Sequence, residues 1–164
     1  LEFFAGPIAR VFSFTGSVVQ DYASEDSSTT LLQFANGAQG MVDCFFNIPD
    51  GASRTRLEIY GSAGSVLTEG TIGQGDGGCV EAYFEEAAAG YDAAQNKDVQ
   101  AGFVPVPFTK VNMYTAECRY FADCILGKRP VEINSGENAI HIMDVTEKAY
   151  RAARTGTCVE VGDQ

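Results

Sequence analysis

Residues 29–48 read TTLLQFANGAQGMVDCFFNI, and this stretch decides the fold class. Two runs rich in strand-forming residues, 29–35 and 39–48, lie on either side of the dipeptide Asn36-Gly37. Asn-Gly is a strong signal for a tight β-hairpin because both turn positions tolerate the positive φ that such a turn requires. The stretch therefore predicts two antiparallel strands joined at Asn36-Gly37.

The sequence on either side of this hairpin predicts more antiparallel strands. Residues 8–19 alternate loosely between apolar and polar side chains, as a half-buried strand does. Residues Asp21–Ser28 that follow predict a polar, acidic connection, and the charges in its part Ser24–Ser28 are expected to be solvated. Downstream, a second hairpin is predicted, with strands at Arg54–Tyr60 and Ser65–Thr68 and a turn at Gly61–Gly64.

Two helices are predicted near the end of the sequence. The first covers Asn112–Leu126 and ends at Gly127, with its apolar residues on one helical face. The second has Ser135 as its N-cap and Gly156 as its left-handed C-terminal cap. Its apolar residues near one face are Ile140, Met143, Ala149, Tyr150 and Ala153. A last strand is predicted at Cys158–Val161.

This order of elements is typical of the α+β class. Consecutive hairpins form an antiparallel sheet, and helices that follow them cover one face of it. The first strands carry aromatic residues on both sides, so an uncovered face would expose a large apolar patch. We therefore expect a homo-oligomer, a dimer or tetramer, that forms through the face of the sheet.

The first seven residues predict the end of a helix. Leu1–Pro7 places Gly6 as the left-handed residue after the helix and Pro7 as its stop. A helix of one and a half turns does not nucleate alone. We therefore expect residues 1–6 to be the remnant of a helix that begins in a longer protein.

The charge of the chain excludes some classes of partner. With 11 Lys and Arg against 22 Asp and Glu, the net charge is −11 over 164 residues. Such a surface repels phosphate backbones and anionic lipid, so no nucleic acid and no membrane is expected as a partner. No apolar run approaches the roughly 20 residues of a membrane helix.

The cysteines do not form a metal-binding pattern. The five cysteines contain no C-x-x-C pair, and the sequence has one histidine, His141. We expect buried free thiols in a reducing cytoplasm and no metal site. A catalytic thiol is the alternative, and it would need His141 beside one of the cysteines. Spacing predicts no catalytic residue of the Ser-His-Asp or paired-carboxylate type.

One motif formally matches a dinucleotide-binding fingerprint. Gly73, Gly75 and Gly78 have the spacing G-x-G-x-x-G, and Asp98 lies twenty residues beyond the last of them. A true fingerprint opens a βαβ unit, whereas the strand before this motif is the second arm of a hairpin. Residues 79–86 fit either a helix or a strand. No Lys or Arg lies near this acidic stretch in the sequence, so no cofactor-binding residue is assigned here.

Several stretches resemble the C-terminal domain of the Gfo/Idh/MocA oxidoreductases, the family related to glucose–fructose oxidoreductase and inositol dehydrogenase. EDSSTTLLQFANG at 25–37 resembles its first strands, and LEIYGSAGSV at 57–66 is similar to its sheet hairpin. Residues 114–125 resemble its penultimate helix, and AYRAARTG at 149–156 resembles its last helix and cap. These stretches occur in the family's order along nearly all of the chain.

The resemblance implies a fold for this chain and a separate domain that binds the cofactor. The fold is an open-faced, mostly antiparallel sheet flanked by helices, like the C-terminal domain of dihydrodipicolinate reductase. Residues 1–164 are then a single C-terminal domain, and an N-terminal Rossmann domain absent from this sequence binds NAD or NADP. The family's catalytic lysine and acid/histidine motif would also precede Leu1, so no catalytic residue is carried over.

The resemblance also points to three substrate-binding residues. In the family, the loop after the third strand and the start of the penultimate helix contact the substrate, and these map onto Asn47, Arg54 and Tyr114. Their amide, guanidinium and phenol groups suit the hydroxyls of a sugar-like substrate.

Two functions remain open from the sequence. The first is the substrate-binding and oligomerisation domain of an NAD(P)-dependent oxidoreductase that acts on a sugar or polyol, with this chain alone inactive. The second is a stand-alone, self-associating binding or scaffold domain without catalysis. An upstream strand–GxGxxG–helix unit in the gene would favour the first.

Overall fold

A computed structural model describes residues 1–85 and 102–162 of the chain. The strands are β1 Ile8–Gly16, β2 Ser27–Phe34, β3 Gln39–Phe45, β4 Arg56–Gly61, β5 Gly64–Glu69, β6 Cys79–Phe84, β7 Val104–Pro105 and β8 Val159–Glu160. The helices are α1 Glu2–Ala5, α2 Met113–Ile125 and α3 Gly136–Thr155, and a single 3-10 turn covers Asp50–Ala52. The predicted α+β class is confirmed.

The strands divide between two four-stranded antiparallel sheets, in the orders β3-β2-β1-β8 and β4-β5-β6-β7. The chain separates into two compact units that follow this division. The first unit is Leu1–Ala52 with Val131–Gln164, and the second is Ser53–Pro130. The single domain expected over residues 1–164 stays a prediction.

The core of the first unit lies between its sheet and α3. Five buried side chains from the sheet and the end of the chain form it: Ile8, Val11, Leu32, Phe34 and Val161. From α3, Val145 packs against this cluster and Ala152 is fully buried. Since side chains alternate across a strand, the neighbours of Val11 and Leu32 point away from α3.

The buried face of α3 differs from the predicted one. Ile140 and Met143, which were expected to pack, are 72% and 67% exposed. The helix instead turns Val145 and Ala152 inward, beside the predicted Ala149, which is half-buried. The small alanine side chains allow the helix to lie close to the sheet. The predicted caps are confirmed: Ser135 Oγ accepts from Asn138 N–H at 3.1 Å, and Gly156 has the left-handed φ of 65° and ψ of 24°.

Two turns differ in detail from the sequence prediction. Gly37 has a φ of 89°, but Asn36 is not among the described residues with positive φ. Asn36 Oδ1 instead accepts from the Ala38 N–H at 3.0 Å, which suits a three-residue turn rather than the tighter two-residue one. Gly6 has a positive φ of 79° but a ψ of −169°, so it is not a left-handed cap. Its extended ψ carries the chain directly into β1.

The second unit contains the predicted hairpin of β4 and β5, with Gly61 paired to Gly64. A β-carbon at position 64 would lie 2.1 Å from the Tyr83 carbonyl oxygen on β6, so this strand contact requires glycine. Residues 79–84 are the strand β6, and its alternation buries Ala82 to 2% exposure. Glu86, the predicted end of this element, lies outside the described residues.

The helix α2 is capped as the sequence predicts, because Asn112 Oδ1 accepts from the Thr115 N–H at 2.9 Å. Its predicted apolar face is not buried, however: Phe121 and Ile125 are 66% and 69% exposed, and no α2 residue is buried. Among the described residues, no helix has the length and apolar character needed to cross a membrane.

Candidate functional site

The most completely buried charged group in the first unit is Asp26, which is 0% exposed. Its Oδ2 accepts from the backbone N–H groups of Val18, Val19 and Gln20 at 3.0, 2.7 and 2.9 Å. These donors, led by Gln20 and Val19, lower the pKa of Asp26. The carboxylate is therefore charged at neutral pH and satisfied by the backbone.

Asp26 explains where two predicted strands stop. The first strand was expected to reach Val19, but it ends at Gly16 because the next amides turn toward the carboxylate. The third was expected to reach Ile48, but it ends at Phe45, where the Phe46 N–H donates to the Asp26 carbonyl at 2.7 Å. The prediction that residues 24–28 carry solvated charge is wrong at Asp26.

A cleft of about 290 Å³ opens beside Asp26. Its lining combines carboxylates, hydroxyls and aromatic rings: Tyr22, Ser24, Glu25, Asp26, Ser27, Ser28, Cys44 and Phe46. Glu25 Oε1 accepts from the Tyr150 hydroxyl at 2.5 Å, so a hydrogen bond from α3 positions one of the residues that line the cleft. Carboxylates and hydroxyls of this kind suit neutral polyhydroxy compounds better than anions.

The predicted substrate residue Asn47 lies in the first unit, just after β3. Its Nδ2 is 3.4 Å from Asp26 Oδ1, at the long end of the hydrogen-bond range. The Asn47 side chain is therefore oriented by the buried carboxylate.

The predicted substrate residue Arg54 lies in the second unit and is already paired. Its Nη1 lies 2.5 Å from Glu69 Oε1, while Arg56 Nη2 lies 3.5 Å from the other oxygen. Arg54, and then Arg56, lower the pKa of Glu69. Arg54 can reach a ligand only by sharing or leaving this ion pair.

The predicted substrate residue Tyr114 lies in the first turn of α2, also in the second unit. It is 52% exposed, and within the described ranges its hydroxyl makes no hydrogen bond. Tyr114 therefore offers a free phenol. The three predicted residues therefore have different environments: Asn47 is oriented by Asp26, Arg54 is paired with Glu69, and Tyr114 is exposed.

The glycine motif does not have the setting of a dinucleotide fingerprint. Gly73, Gly75 and Gly78 lie in the connection between β5 and β6, which pair antiparallel. A fingerprint turn leads from a strand into a helix of a βαβ unit. The acidic partner considered for it, Asp98, lies outside the described residues.

The cysteines and the histidine have ordinary structural environments. The expectation of buried thiols is wrong, because Cys44, Cys79, Cys118 and Cys158 are exposed and Cys124 is half-buried. His141 Nε2 lies 2.9 Å from Glu2 Oε1, which joins α3 to α1. Within residues 1–85 and 102–162, no group of three or more Cys, His, Asp or Glu side chains could hold a metal ion.

Residues 1–67 match the family model of the GFO/IDH/MocA C-terminal domain. The resemblance to this family inferred from the sequence is therefore confirmed. No curated protein sequence is similar enough to this chain to count as a relative.

Solved structures share the fold over almost the whole chain. Levoglucosan dehydrogenase in complex with NADH and levoglucosan is 16% identical with a TM-score of 0.76, over 99% of this chain and 47% of its own. Aldose–aldose oxidoreductase from Caulobacter crescentus, complexed with glycerol, is 19% identical with a TM-score of 0.72, over 94% and 41%. The WlbA dehydrogenase from Bordetella pertussis, with NADH and UDP-GlcNAcA, is 16% identical with a TM-score of 0.70, over 100% and 42%. The chain spans less than half the length of each.

Proposed function

We propose that this chain is the substrate-binding and oligomerisation part of an NAD(P)-dependent oxidoreductase. The chain resembles the Gfo/Idh/MocA C-terminal domain in sequence over residues 1–67 and in fold throughout. The observation that carries the proposal is the fold shared with levoglucosan dehydrogenase over 99% of this chain. The substrate proposed is a sugar or polyol, and the reaction is hydride transfer at a hydroxyl or carbonyl carbon. NAD or NADP would be bound by a further domain of the longer protein.

Three side chains are proposed to bind the substrate: Asn47, Arg54 and Tyr114. The Tyr114 phenol supports this role because it is exposed without an internal hydrogen-bond partner among the described residues. Asn47 keeps an amide oxygen for a substrate hydroxyl while its nitrogen faces Asp26. Arg54 has further N–H donors beyond the one directed at Glu69.

The open face of the first sheet is proposed as the contact with a second copy. Phe12, Leu31 and Met41 lie opposite one another across β1, β2 and β3, on the face away from α3. Phe14 and Phe45 extend this row, which we call the open face, and Phe12 and Phe14 pack edge-to-face at 5.0 Å. Phe14 and Met41 are 64% and 60% exposed. An exposed apolar patch of this kind is commonly buried by association with a second copy of the chain.

The compartment proposed is the cytoplasm. All five cysteines are free thiols, four of them exposed, as suits a reducing environment.

The test is an assay of the longest protein encoded by the gene that contains this chain. We expect reduction of NAD or NADP by a sugar or polyol from a broad panel. Tyr114→Phe should raise KM about 3- to 10-fold, the effect of losing one neutral hydrogen bond. Tyr60→Phe is the matched control, since Tyr60 is an exposed phenol in the same unit as Tyr114 and lies outside the proposed site.

Two results would overturn the proposal. One is an encoded protein without a strand–GxGxxG–helix unit, and the other is a protein with such a unit that turns over no sugar or polyol. The first would favour a self-associating scaffold.

A further inference from the structure

Lys110 lies directly against the glycine-rich loop of the second unit. A β-carbon at Gly77 would lie 2.7 Å from Cε and 2.8 Å from Cδ of Lys110, so the lysine stem occupies the space that a side chain would fill. Gly77 is half-buried for this reason, while the rest of the loop is exposed. This cation could not be predicted from the sequence, because Lys110 is far from the loop along the chain.

The ammonium group of Lys110 has no partner within the described ranges. No carboxylate lies within 4.0 Å of its nitrogen, and no hydrogen bond is formed by it among these residues. Lys128, in the same unit, differs in this respect because it pairs with Asp123 at 3.4 Å. Lys110 is therefore a positive charge held against the backbone and not neutralised.

The loop beneath Lys110 offers unpaired backbone donors. In the described part of the chain, none of the N–H groups of residues 71–77 donates to a carbonyl or side-chain acceptor. Gly73 and Gly75 have no atom within 4 Å of the place a β-carbon would take, so a ligand can approach the backbone there. Successive exposed N–H groups beside a cation are a favourable setting for an anion.

In the described part of the chain, no carboxylate around the loop forms an ion pair with Lys110. Glu69 at the foot of the loop is paired with both Arg54 and Arg56. The two ends of the loop lie close together, since a β-carbon at Gly78 would lie 2.5 Å from the Glu69 carbonyl oxygen and 2.6 Å from the Gly70 carbonyl carbon. The loop itself contains one carboxylate, Asp76.

We propose that Lys110 and the loop Gly70–Gly78 form a binding site for the oxyanion of a small molecule, a carboxylate or a phosphate group. The ammonium supplies the charge, and the loop amides supply directed hydrogen bonds. This site goes beyond the proposed oxidoreductase function and does not depend on it, because every group in it belongs to the second unit of this chain.

The test is an NMR titration of the 164-residue chain at constant ionic strength. The probes are glucuronate, which carries a carboxylate, inorganic phosphate, and glucose as the neutral counterpart of glucuronate. We expect saturable shifts of the loop amides with at least one anion and none with glucose. The anion that binds more tightly identifies which oxyanion the site prefers. No saturable shift with either anion, or equal shifts with glucose, would overturn the proposal.

Two matched pairs of variants locate the site. Lys110→Gln should weaken anion binding about tenfold, the loss of one charge-assisted hydrogen bond, whereas Lys128→Gln should not change it. Gly77→Ala displaces the flexible end of Lys110 without a positive φ to strain it, and should also weaken binding. Gly102→Ala, in the same unit but outside the loop, also meets open space and should leave binding intact. Equal affinities within both pairs would place the anion elsewhere and refute the site.

Discussion

The hydroxyl of Tyr150 on α3 donates to Oε1 of Glu25 at 2.5 Å, which ties the last helix to the connection between β1 and β2. This hydrogen bond is the main reason why the pKa of Glu25 is lowered and the pKa of Tyr150 is raised. Both shifts stabilise the folded state in the pH range where Glu25 is ionised and Tyr150 is protonated.

The pH dependence of this contact is predictable. The lowered pKa of Glu25 contributes stability above its unfolded value of about 4.3, which is lost as the pH falls through the folded pKa. The raised pKa of Tyr150 contributes stability below about 10, which is lost as the pH rises through the folded pKa. Tyr150→Phe should therefore lower Tm between about pH 5 and 9 and matter less outside that range. Thermal unfolding across pH, with Tyr22→Phe as the control, measures this; an identical shift at every pH would contradict it.

Asp26→Asn should destabilise the first unit strongly. The substitution removes a charge that accepts three backbone N–H groups and can place an amide N–H against those donors. Because the pKa of Asp26 is lowered on folding, its contribution is present above about pH 4 and is lost as the pH falls through the folded pKa. Denaturant unfolding at neutral and acid pH should show a difference from the unmodified chain that shrinks on acidification. A pH-independent difference would mean that the charge is not what matters.

Gly156→Val should cost at least about 1 kcal/mol of unfolding free energy, because a branched residue is strained at a φ of 65°. Gly136→Ala is the control at the other end of α3, where the glycine lacks a positive φ and its β-carbon would meet no atom within 4 Å. Urea unfolding compares the two. An unchanged midpoint for Gly156→Val would show that the cap is unimportant.

Met41→Asp should weaken self-association if the open face joins two copies. Met41 lies in the middle of that face, opposite Leu31, and a buried charge there would be unpaired. Light scattering at micromolar concentration should show a dimer or larger for the unmodified chain and dissociation for the variant. Ile140→Asp on α3, at a site 72% exposed, controls for the added charge. A monomer before any substitution would rule out this interface.

The chain alone should bind neither NAD nor NADP with sub-millimolar affinity, and it should turn over no substrate. The glycine motif joins two antiparallel strands and lacks the helix N-terminus that holds a pyrophosphate in dinucleotide-binding folds. Isothermal titration calorimetry with each dinucleotide tests this. Stoichiometric, sub-millimolar binding would restore the motif as a cofactor site.

The elements that the sequence predicted well depend on neighbouring residues. Ser135 and Gly156 are recognised as caps because the groups they satisfy lie within one helical turn. The β2–β3 hairpin follows from Asn36-Gly37 in the same way, although the turn is one residue longer than predicted. Antiparallel pairing follows from short connections of this kind.

The features that the sequence missed depend on tertiary contacts. In the sequence, Asp26 is one of several acidic residues in a polar run and has no feature that predicts burial. It is buried because the chain folds back and directs three backbone N–H groups at its carboxylate. Lys110 and Gly77 meet only once the second unit has formed. The buried face of α3 was misjudged because hydrophobicity favoured Ile140, whereas close packing on the sheet favours the smaller Ala152.

Gly64 has a consequence for how substitutions in this chain should be interpreted. Any side chain at position 64 would meet the Tyr83 carbonyl of β6 at 2.1 Å, a contact with rigid backbone. A mutational survey that selects for folded protein would therefore return glycine alone at this position. An invariant glycine is easily interpreted as a residue of a functional site. At position 64 the invariance would result from the close spacing of β5 and β6, and it would not indicate a binding or catalytic role.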